Sequence, residues 1–483
     1  MNIVDPILYQ ARHNAPVAAL CAPGTMFKLV SYGRLERFIH SVCRIGAAFD
    51  LKAGNIVAIF VSNPVLHAAI ILGLTRLGVI TLSGRNPRLP KELRIDALLT
   101  DSAYPYEAAR VIRVDAGWLE GKGTSSDGGS KPADEHRICR IILTSGTTGE
   151  AKAVALTHRM LQDRLARHLV VLGNKLPQCS RTYCDLGFAT SLGFQFLIYT
   201  LWRGGTILFP GGHLEEVIQL WEAYQIKNMV STPSSLAQYL RYFEGPTLPQ
   251  CNMEMILAAG SLLSESLARR VRARICSNII SLYGSTEASM VAAAPAHFIA
   301  DTPGAVGYVT PGVTVEIVDQ AGTALPPGQA GIVRIRSPYG PGEYFGDALE
   351  SANAFRDGWF YPGDIGRLAA DGLLVIEGRQ TAVLNVGGDK LRPELVEEVI
   401  TSFPEMDRAG VFSVANELGI EELWSLVVAR ARWDEGALRA HCQRILPEAF
   451  VPLRFIEVER LPVNAMGKID RRLLHDIARA RLG

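Results

Sequence analysis

Leu143-Thr144-Ser145-Gly146-Thr147-Thr148-Gly149-Glu150-Ala151-Lys152 follows a largely apolar, strand-like run, Ile138–Leu143. Hydroxyls, two glycines and a lysine packed into one short stretch suit a loop that wraps polyphosphate oxygens. Glycine lets backbone N–H groups come close to such oxygens, and Ser and Thr hydroxyls add donors. The stretch is not a Walker A loop. That motif needs Gly-Lys-Ser/Thr in succession, and here Lys152 is followed by Ala153. Taken alone, a Ser/Thr/Gly run is more often an ordinary surface loop, so the reading depends on what surrounds it.

Upstream, Asn55–Val61 is a short β-branched and aromatic run that reads as a buried strand. Asn63-Pro64 punctuates, Val65–Leu77 reads as a helix, and Gly78–Leu82 is a second apolar run. Strand, helix and strand in this order make a βαβ unit and favour a parallel sheet. The pattern recurs downstream at Thr206–Phe209, Leu214–Tyr224 and Asn228–Ser231, and again at Met255–Ala258, Ser264–Cys276 and Asn278–Leu282. From Gly304 to Ile335 short strands and turns take over, which reads as a β-rich subdomain. Glu394–Phe403 reads as a helix, with strands near Arg408–Val414, Trp424–Val428 and Phe455–Val458. The fold class expected is therefore α/β, a large multi-part core followed by an α+β module of roughly 100 residues, an ordinary domain size.

The 483-residue chain is 48% hydrophobic and 20% charged, which excludes a wholly disordered protein. Its 49 Lys and Arg balance 48 Asp and Glu, so nothing in the total charge asks for a nucleic-acid partner. None of the eight cysteines forms a C-x-x-C pair or a zinc-spaced cluster. Free thiols in a reducing cytoplasm are the expectation. Met1–Pro6 lacks the basic and apolar regions of a signal peptide. The longest apolar stretch, Val65–Thr81, is broken by His67, Thr75 and Arg76, so no membrane span is expected.

Four further motifs follow the first in order. Tyr283-Gly284-Ser285-Thr286-Glu287 lies directly beyond the strand-like Ile279–Leu282, where parallel sheets gather ligands. Thr286 can donate to a phosphate and Glu287 can hold Mg²⁺, although Thr286 also reads as a plain helix N-cap. In Gly358-Trp359-Phe360-Tyr361-Pro362-Gly363-Asp364, an Asp after a tight turn can take two ribose hydroxyls, or can simply close a hairpin. Then come Gly378-Arg379 with Val386-Gly387-Gly388-Asp389-Lys390, and Leu461–Arg471 with its Gly467-Lys468.

Together these five motifs resemble those of the adenylate-forming superfamily, which includes acyl-CoA synthetases, luciferase-like enzymes and peptide-synthetase adenylation domains. The likeness runs from the Asn55–Pro87 unit to Lys468. It implies that Thr144, Ser145, Gly146, Thr147, Thr148 and Lys152 hold the β- and γ-phosphates of ATP. It places Gly260, Ser261, Tyr283 and Gly284 around adenine, Asp364 and Arg379 on the ribose, Thr286 on the α-phosphate and Glu287 on Mg²⁺. Lys468 then serves adenylation, and Gly387 and Gly388 line a tunnel for the thiol of CoA or of a carrier protein's phosphopantetheine. The resemblance also implies an N-terminal domain over residues 1–378 and a mobile lid over 379–483, pivoting near 379–382.

Several positions depart from the family pattern. Thr381 stands where the pivot usually carries Asp or Lys, and Ala153 where Gly is usual. In Phe188-Ala189-Thr190-Ser191, Ala189 takes the place of the Asp that pairs an α-ammonium in peptide-synthetase domains. A buried ammonium there would have no partner, which argues against an α-amino acid. The other pocket-facing positions, Gly193, Leu282, Met290 and Val291, are all apolar or small, suiting an apolar or aromatic carboxylic acid with few buried polar groups. Each of these positions also reads as plain core. With 15 residues after Lys468, a fused carrier is not expected. The expected acceptor is CoA, the alternatives being a separate carrier protein or an amine.

Lys468→Ala is expected to abolish acid-dependent ATP–pyrophosphate exchange and to leave thioester formation from synthetic acyl-AMP largely intact. Equal loss of both half-reactions would contradict a lysine that serves the first step alone.

Overall fold

The structure, a computed structural model, describes residues 1–84, 89–90, 93–102, 110–120, 134–145, 151–173, 180–211, 214–243, 251–379, 384–386, 389–391, 393–462, 469 and 471–482. Two sheets organise most of them. The smaller has the strand order Val111–Arg113, Ala97–Thr100, Ile56–Phe60, Ile80–Ser83, Ile138–Ser145, Ala151–Thr157. Its strands are parallel up to the final hairpin, which is antiparallel.

The expected βαβ unit is present, with Ile56 in register with Ile80 across a parallel pair. Its helix, Pro64–Arg76, starts where the sequence says it should. The Asn63 side chain accepts from the Val65 and Leu66 amides, and Pro64 fills a first-turn position that needs no donor. The helix is buried on every face from Val65 to Thr75, so its one histidine must be satisfied inside the protein. His67 Nδ1 donates to the Val61 carbonyl at 2.9 Å, and Nε2 accepts from the Ser83 hydroxyl at 2.7 Å. Burial, then the charge of Arg140, lowers its pKa to about 3, so the ring is neutral.

In the larger sheet, the strands Arg181–Cys184, Asn228–Ser231, Met255–Ala258 and Ile279–Ser285 run parallel. From Ser289–Pro295 onward the sheet is antiparallel through Ala305–Val309, Leu373–Arg379, Asp364–Leu368 and Gly331–Arg336. The β-rich stretch read from the sequence is thus continuous with the parallel part. The change of direction occurs at Thr286 and Glu287. No helix begins there: Ile279–Ser285 turns straight back as Ser289–Pro295, with the Ala288 amide donating to Ser285 Oγ at 3.1 Å. Thr286 is therefore a turn residue and not a helix cap.

A main apolar cluster fills the space around the two sheets, from Ile7 and Phe38 to Val291 and Ile335. Beyond residue 384 a hairpin and a separate sheet, Met406–Ala415, Glu421–Ala429 and Arg454–Glu457, surround a core of their own. The 416–420 turn rests against the start of the Glu265–Arg274 helix, where the Ser264 and Ser266 hydroxyls donate to the Leu418 and Glu417 carbonyls. Among the described residues no helix is long and apolar enough to cross a membrane. Cys21, Cys43, Cys139, Cys184, Cys251, Cys276 and Cys442 are free, and Cys179 lies outside the described residues.

The helices Tyr32–Ala48 and Pro64–Arg76 touch at Gly73, where an added Cβ would meet the Val42 side chain at 2.6 Å. Gly73→Val is expected to lower stability by about 1–3 kcal/mol through overpacking, read by denaturant unfolding. An unchanged midpoint would show that this crossing is adjustable.

Candidate active site

The smaller sheet ends in the hairpin that carries the quoted loop, with Thr144 directly opposite Lys152. The Thr144 hydroxyl donates to Glu287 Oε1 at 3.3 Å, across the gap to the larger sheet. The same oxygen accepts from the Tyr344 hydroxyl at 3.1 Å. Glu287 is only 8% exposed, so these bonds compensate for a carboxylate held away from water. Burial, and then the neighbouring carboxylate, push the Tyr344 phenol far up, so it stays an O–H donor.

Lys152 completes the group from the hairpin side. Its ammonium pairs with the Glu350 carboxylate and lies 5.0 Å over the Tyr344 ring. That pairing holds the Glu350 carboxyl below its usual range. Tyr344 and Glu350 were not picked out from the sequence, yet they join the loop lysine to Glu287. A signal for them existed. Asp347 and Glu350 have the spacing of a helix capping box, and Asp347 Oδ1 does accept from the Glu350 amide at 3.0 Å. The neighbouring Phe345 amide donates to the Ala153 carbonyl at 2.7 Å, which fixes the segment to the hairpin.

The remaining nucleotide-site candidates line the larger sheet. The Tyr283 hydroxyl donates to Asp364 Oδ2 at 2.6 Å, and Asp364 is 4% exposed. Asp364 follows Gly363, whose φ of +79° suits glycine, and stands in register with Arg379. Gly260 follows the Met255–Ala258 strand at a φ of +99°, with Ser261 half-buried beside it. Gly284 permits the hairpin to close, since a Cβ there would lie 2.2 Å from the Ser289 carbonyl oxygen.

The acyl-pocket candidates divide. Phe188, Leu282, Met290 and Val291 are buried in the main apolar cluster, while Ala189 is half-buried. Thr190 caps the Ser191–Trp202 helix, its side chain accepting from the Gly193 amide at 3.1 Å. Gly193 has a packing reason to be glycine, because a Cβ would lie 2.4 Å from the Leu186 carbonyl oxygen. Arg140, which the sequence reading passed over, anchors this wall. Its guanidinium is fully buried and donates to the Phe188 carbonyl at 2.5 Å and to Ser83 Oγ at 2.7 Å. It also lies 4.7 Å over the Phe194 ring.

Gly146, Thr147, Thr148, Thr381, Gly387, Gly388 and Lys468 lie outside the described residues, as do the side chains of Ser145 and Arg379. Among the described residues no group of three or more His, Cys, Asp or Glu could hold a metal. The arrangement at Glu287 nonetheless fits Mg²⁺. It offers a carboxylate among hydroxyls, all hard oxygens, and Mg²⁺ is commonly held by one or two carboxylates plus substrate phosphates.

The AMP-binding enzyme family model matches residues 10–345, and that of the AMP-binding enzyme C-terminal domain matches residues 395–468. A salicylyl-CoA synthase / salicylate adenylyltransferase of Streptomyces sp is 26% identical over 367 residues, which is 72% of this chain. The match spans 64% of that relative's length, under two thirds. A 2-succinylbenzoate–CoA ligase of Geobacillus kaustophilus is 28% identical over 453 residues, covering 89% of each chain. Among solved structures, an amide bond synthetase from Marinactinospora thermotolerans has the same fold, with a TM-score of 0.82 and 23% identity. The superposition covers 100% of this chain and 99% of that one.

Lys152 and Glu350 are 9% and 19% exposed, so their attraction is only partly screened. A double-mutant cycle with Lys152→Met and Glu350→Gln, read by denaturant unfolding, is expected to give a coupling of about 1–2 kcal/mol. Additive losses would mean that the pair does not act as a unit.

Proposed function

Since the chain belongs to the AMP-binding enzyme family, we propose that it activates a carboxylic acid with ATP and passes the acyl group to the thiol of CoA. The observation that carries the proposal is the meeting of Thr144, Lys152 and Glu287, with Tyr283 hydrogen-bonded to Asp364 on the larger sheet. A loop cation, a metal-binding carboxylate and a sugar-binding carboxylate on one surface are what a nucleoside triphosphate requires.

In the first step a carboxylate oxygen of the acid attacks the α-phosphorus. The bond to the bridging oxygen breaks, and pyrophosphate leaves. In the second step a thiolate sulfur attacks the acyl carbon, and AMP leaves. Negative charge grows on phosphate oxygens in the first transition state, so fixed positive charge and donors aimed there lower the barrier. Lys152 meets the outer phosphates and Thr286 donates to the α-phosphate. Glu287 would hold Mg²⁺, which supplies further positive charge against those oxygens when bound. Asp364 takes the ribose hydroxyls, for which Tyr283 is an internal substitute. Arg379, Gly260 and Ser261 complete the nucleotide site, and Lys468 contributes from the C-terminal part. That part, over residues 379–483, turns about 379–382 to exchange Lys468 for the Gly387-Gly388 tunnel.

The acid we propose is apolar or aromatic. Phe188, Leu282, Met290 and Val291 offer an apolar wall, and the two curated relatives are named for aryl acids. A second reading ends in an amide, with an amine taking the thiol's place; it is supported by the amide bond synthetase of the same fold. We place the enzyme in the cytoplasm, in keeping with its free cysteines.

The test is ATP–pyrophosphate exchange over a panel of aryl, aliphatic and amino acids, followed by product analysis with CoA, amines or carrier protein. Aryl acids are expected to support exchange, α-amino acids are not, and CoA is expected to yield a thioester. Amide formation in preference to thioester moves the reading to the second. No exchange with any acid overturns both.

A further inference from the structure

The turn that carries Thr286 and Glu287 is held from behind. Arg164, on the His158–Leu172 helix, is 0% exposed. Its Nη2 donates to the Thr286 carbonyl at 2.9 Å, and its Nε donates to the Tyr339 carbonyl at 2.8 Å. One guanidinium therefore ties two chain segments that are far apart in sequence. The Ser337 hydroxyl donates to the Ala288 carbonyl at 2.7 Å. Between these two bonds, Gly340 lies so close to the turn that an added Cβ would stand 1.9 Å from the Glu287 carbonyl oxygen. Of three successive carbonyls, those of residues 286 and 288 are thus hydrogen-bonded by Arg164 and Ser337, and that of 287 is packed against Gly340.

The tie matters because of what lies at its two ends. The 337–340 segment runs on to Tyr344, whose hydroxyl bonds to Glu287 Oε1. The turn itself presents the Glu287 carboxylate. Arg164 therefore fixes, at the backbone, the spacing between a carboxylate and its phenol donor. Carbonyls alone do not need a cation, and burying one is costly. Glu287 is the carboxylate whose charge bears on Arg164. Burial lowers the guanidinium to about 10, still protonated at neutral pH.

We propose that Arg164 is a positioning residue for metal–nucleotide binding: it clamps the 286–288 turn to the 337–340 segment, so that Glu287 is pre-set to receive Mg²⁺ with the triphosphate. It touches neither nucleotide nor metal. The proposal rests on the reading of the site as an ATP site. Rigid placement is needed because an oxygen ligand misplaced by a fraction of an ångström no longer fits the near-octahedral geometry of Mg²⁺.

Arg167 is the internal control. It is one turn along the same helix, 5% exposed, and lies 4.3 Å over the Tyr339 ring. It donates to the Thr310 hydroxyl and makes no bond to the 286–288 carbonyls.

The test is calorimetric binding of ATP, with excess Mg²⁺ and again with a chelator, to the full-length wild type and to Arg164→Gln, Arg164→Lys, Ser337→Ala and Arg167→Gln. Far-ultraviolet circular dichroism checks each fold. Arg164→Gln is expected to weaken binding with Mg²⁺ by about tenfold, the scale of a lost charge-assisted hydrogen bond, with little change in the chelator arm. Ser337→Ala should shift it the same way by less, Arg164→Lys should recover part, and Arg167→Gln should leave the metal dependence unchanged. A folded Arg164→Gln that binds like wild type overturns the proposal, as does an equal shift from Arg167→Gln. Should Arg164→Gln not fold, Ser337→Ala and Arg164→Lys decide by the same criterion. Failure of the wild type to bind ATP in either arm would instead overturn the ATP-site reading.

Discussion

One oxygen of Glu287 joins three parts of the chain. It accepts from Thr144, 143 residues earlier, and from Tyr344, 57 residues later. The first donor belongs to the smaller sheet, and the turn bearing the acceptor belongs to the larger. A nearly buried carboxylate is tolerated only if its oxygens are satisfied, so the two sheets must dock in a relative position that brings Thr144 within reach. The packing of the main core and the assembly of the site are in this sense one requirement. The apolar cluster supplies the bulk of the docking energy, and the Glu287 bonds select one relative position of the two sheets.

Several polar groups that the proposed chemistry uses already hold an internal partner. Lys152 is paired with Glu350, Tyr283 with Asp364, and Glu287 with Thr144 and Tyr344. Such pairing keeps charged and polar side chains in place at low exposure. In the proposed site a nucleotide would exchange one set of hydrogen bonds for another without having to order loose side chains, which reduces the entropic cost of binding.

Much of this was legible in the sequence, and the reasons are local. The βαβ unit shows because Asn63-Pro64 caps a helix and the flanking strands are apolar. The recurring strands from Thr206 to Ser285 show for the same reason. Thr144, Lys152, Tyr283, Glu287 and Asp364 stand out as chemistry-bearing residues at strand ends; in the structure Thr144 faces Lys152 and bonds to Glu287, and Tyr283 bonds to Asp364. What stayed hidden acts across long separations. Tyr344 and Glu350 look like an unremarkable turn and helix start, and only the sheet topology sets them beside Lys152 and Glu287. Arg140 and Arg164 look like solvated charges in a strand and a helix, yet each is buried and bonded to backbone carbonyls more than 40 residues away. The reading of Thr286 as a helix cap failed because a short Ser-Thr-Glu run is equally able to turn between antiparallel strands.

The central claim is that Glu287 is the joint on which nucleotide chemistry depends. The most direct measurement is acid-dependent ATP–pyrophosphate exchange by Glu287→Gln, a change that keeps the side chain's size and its acceptor oxygen but removes the charge. The account predicts a loss of about 10²–10³-fold, the scale of removing one electrostatic group from a transition state, in a variant that circular dichroism shows to be folded. Exchange at the wild-type rate would contradict it.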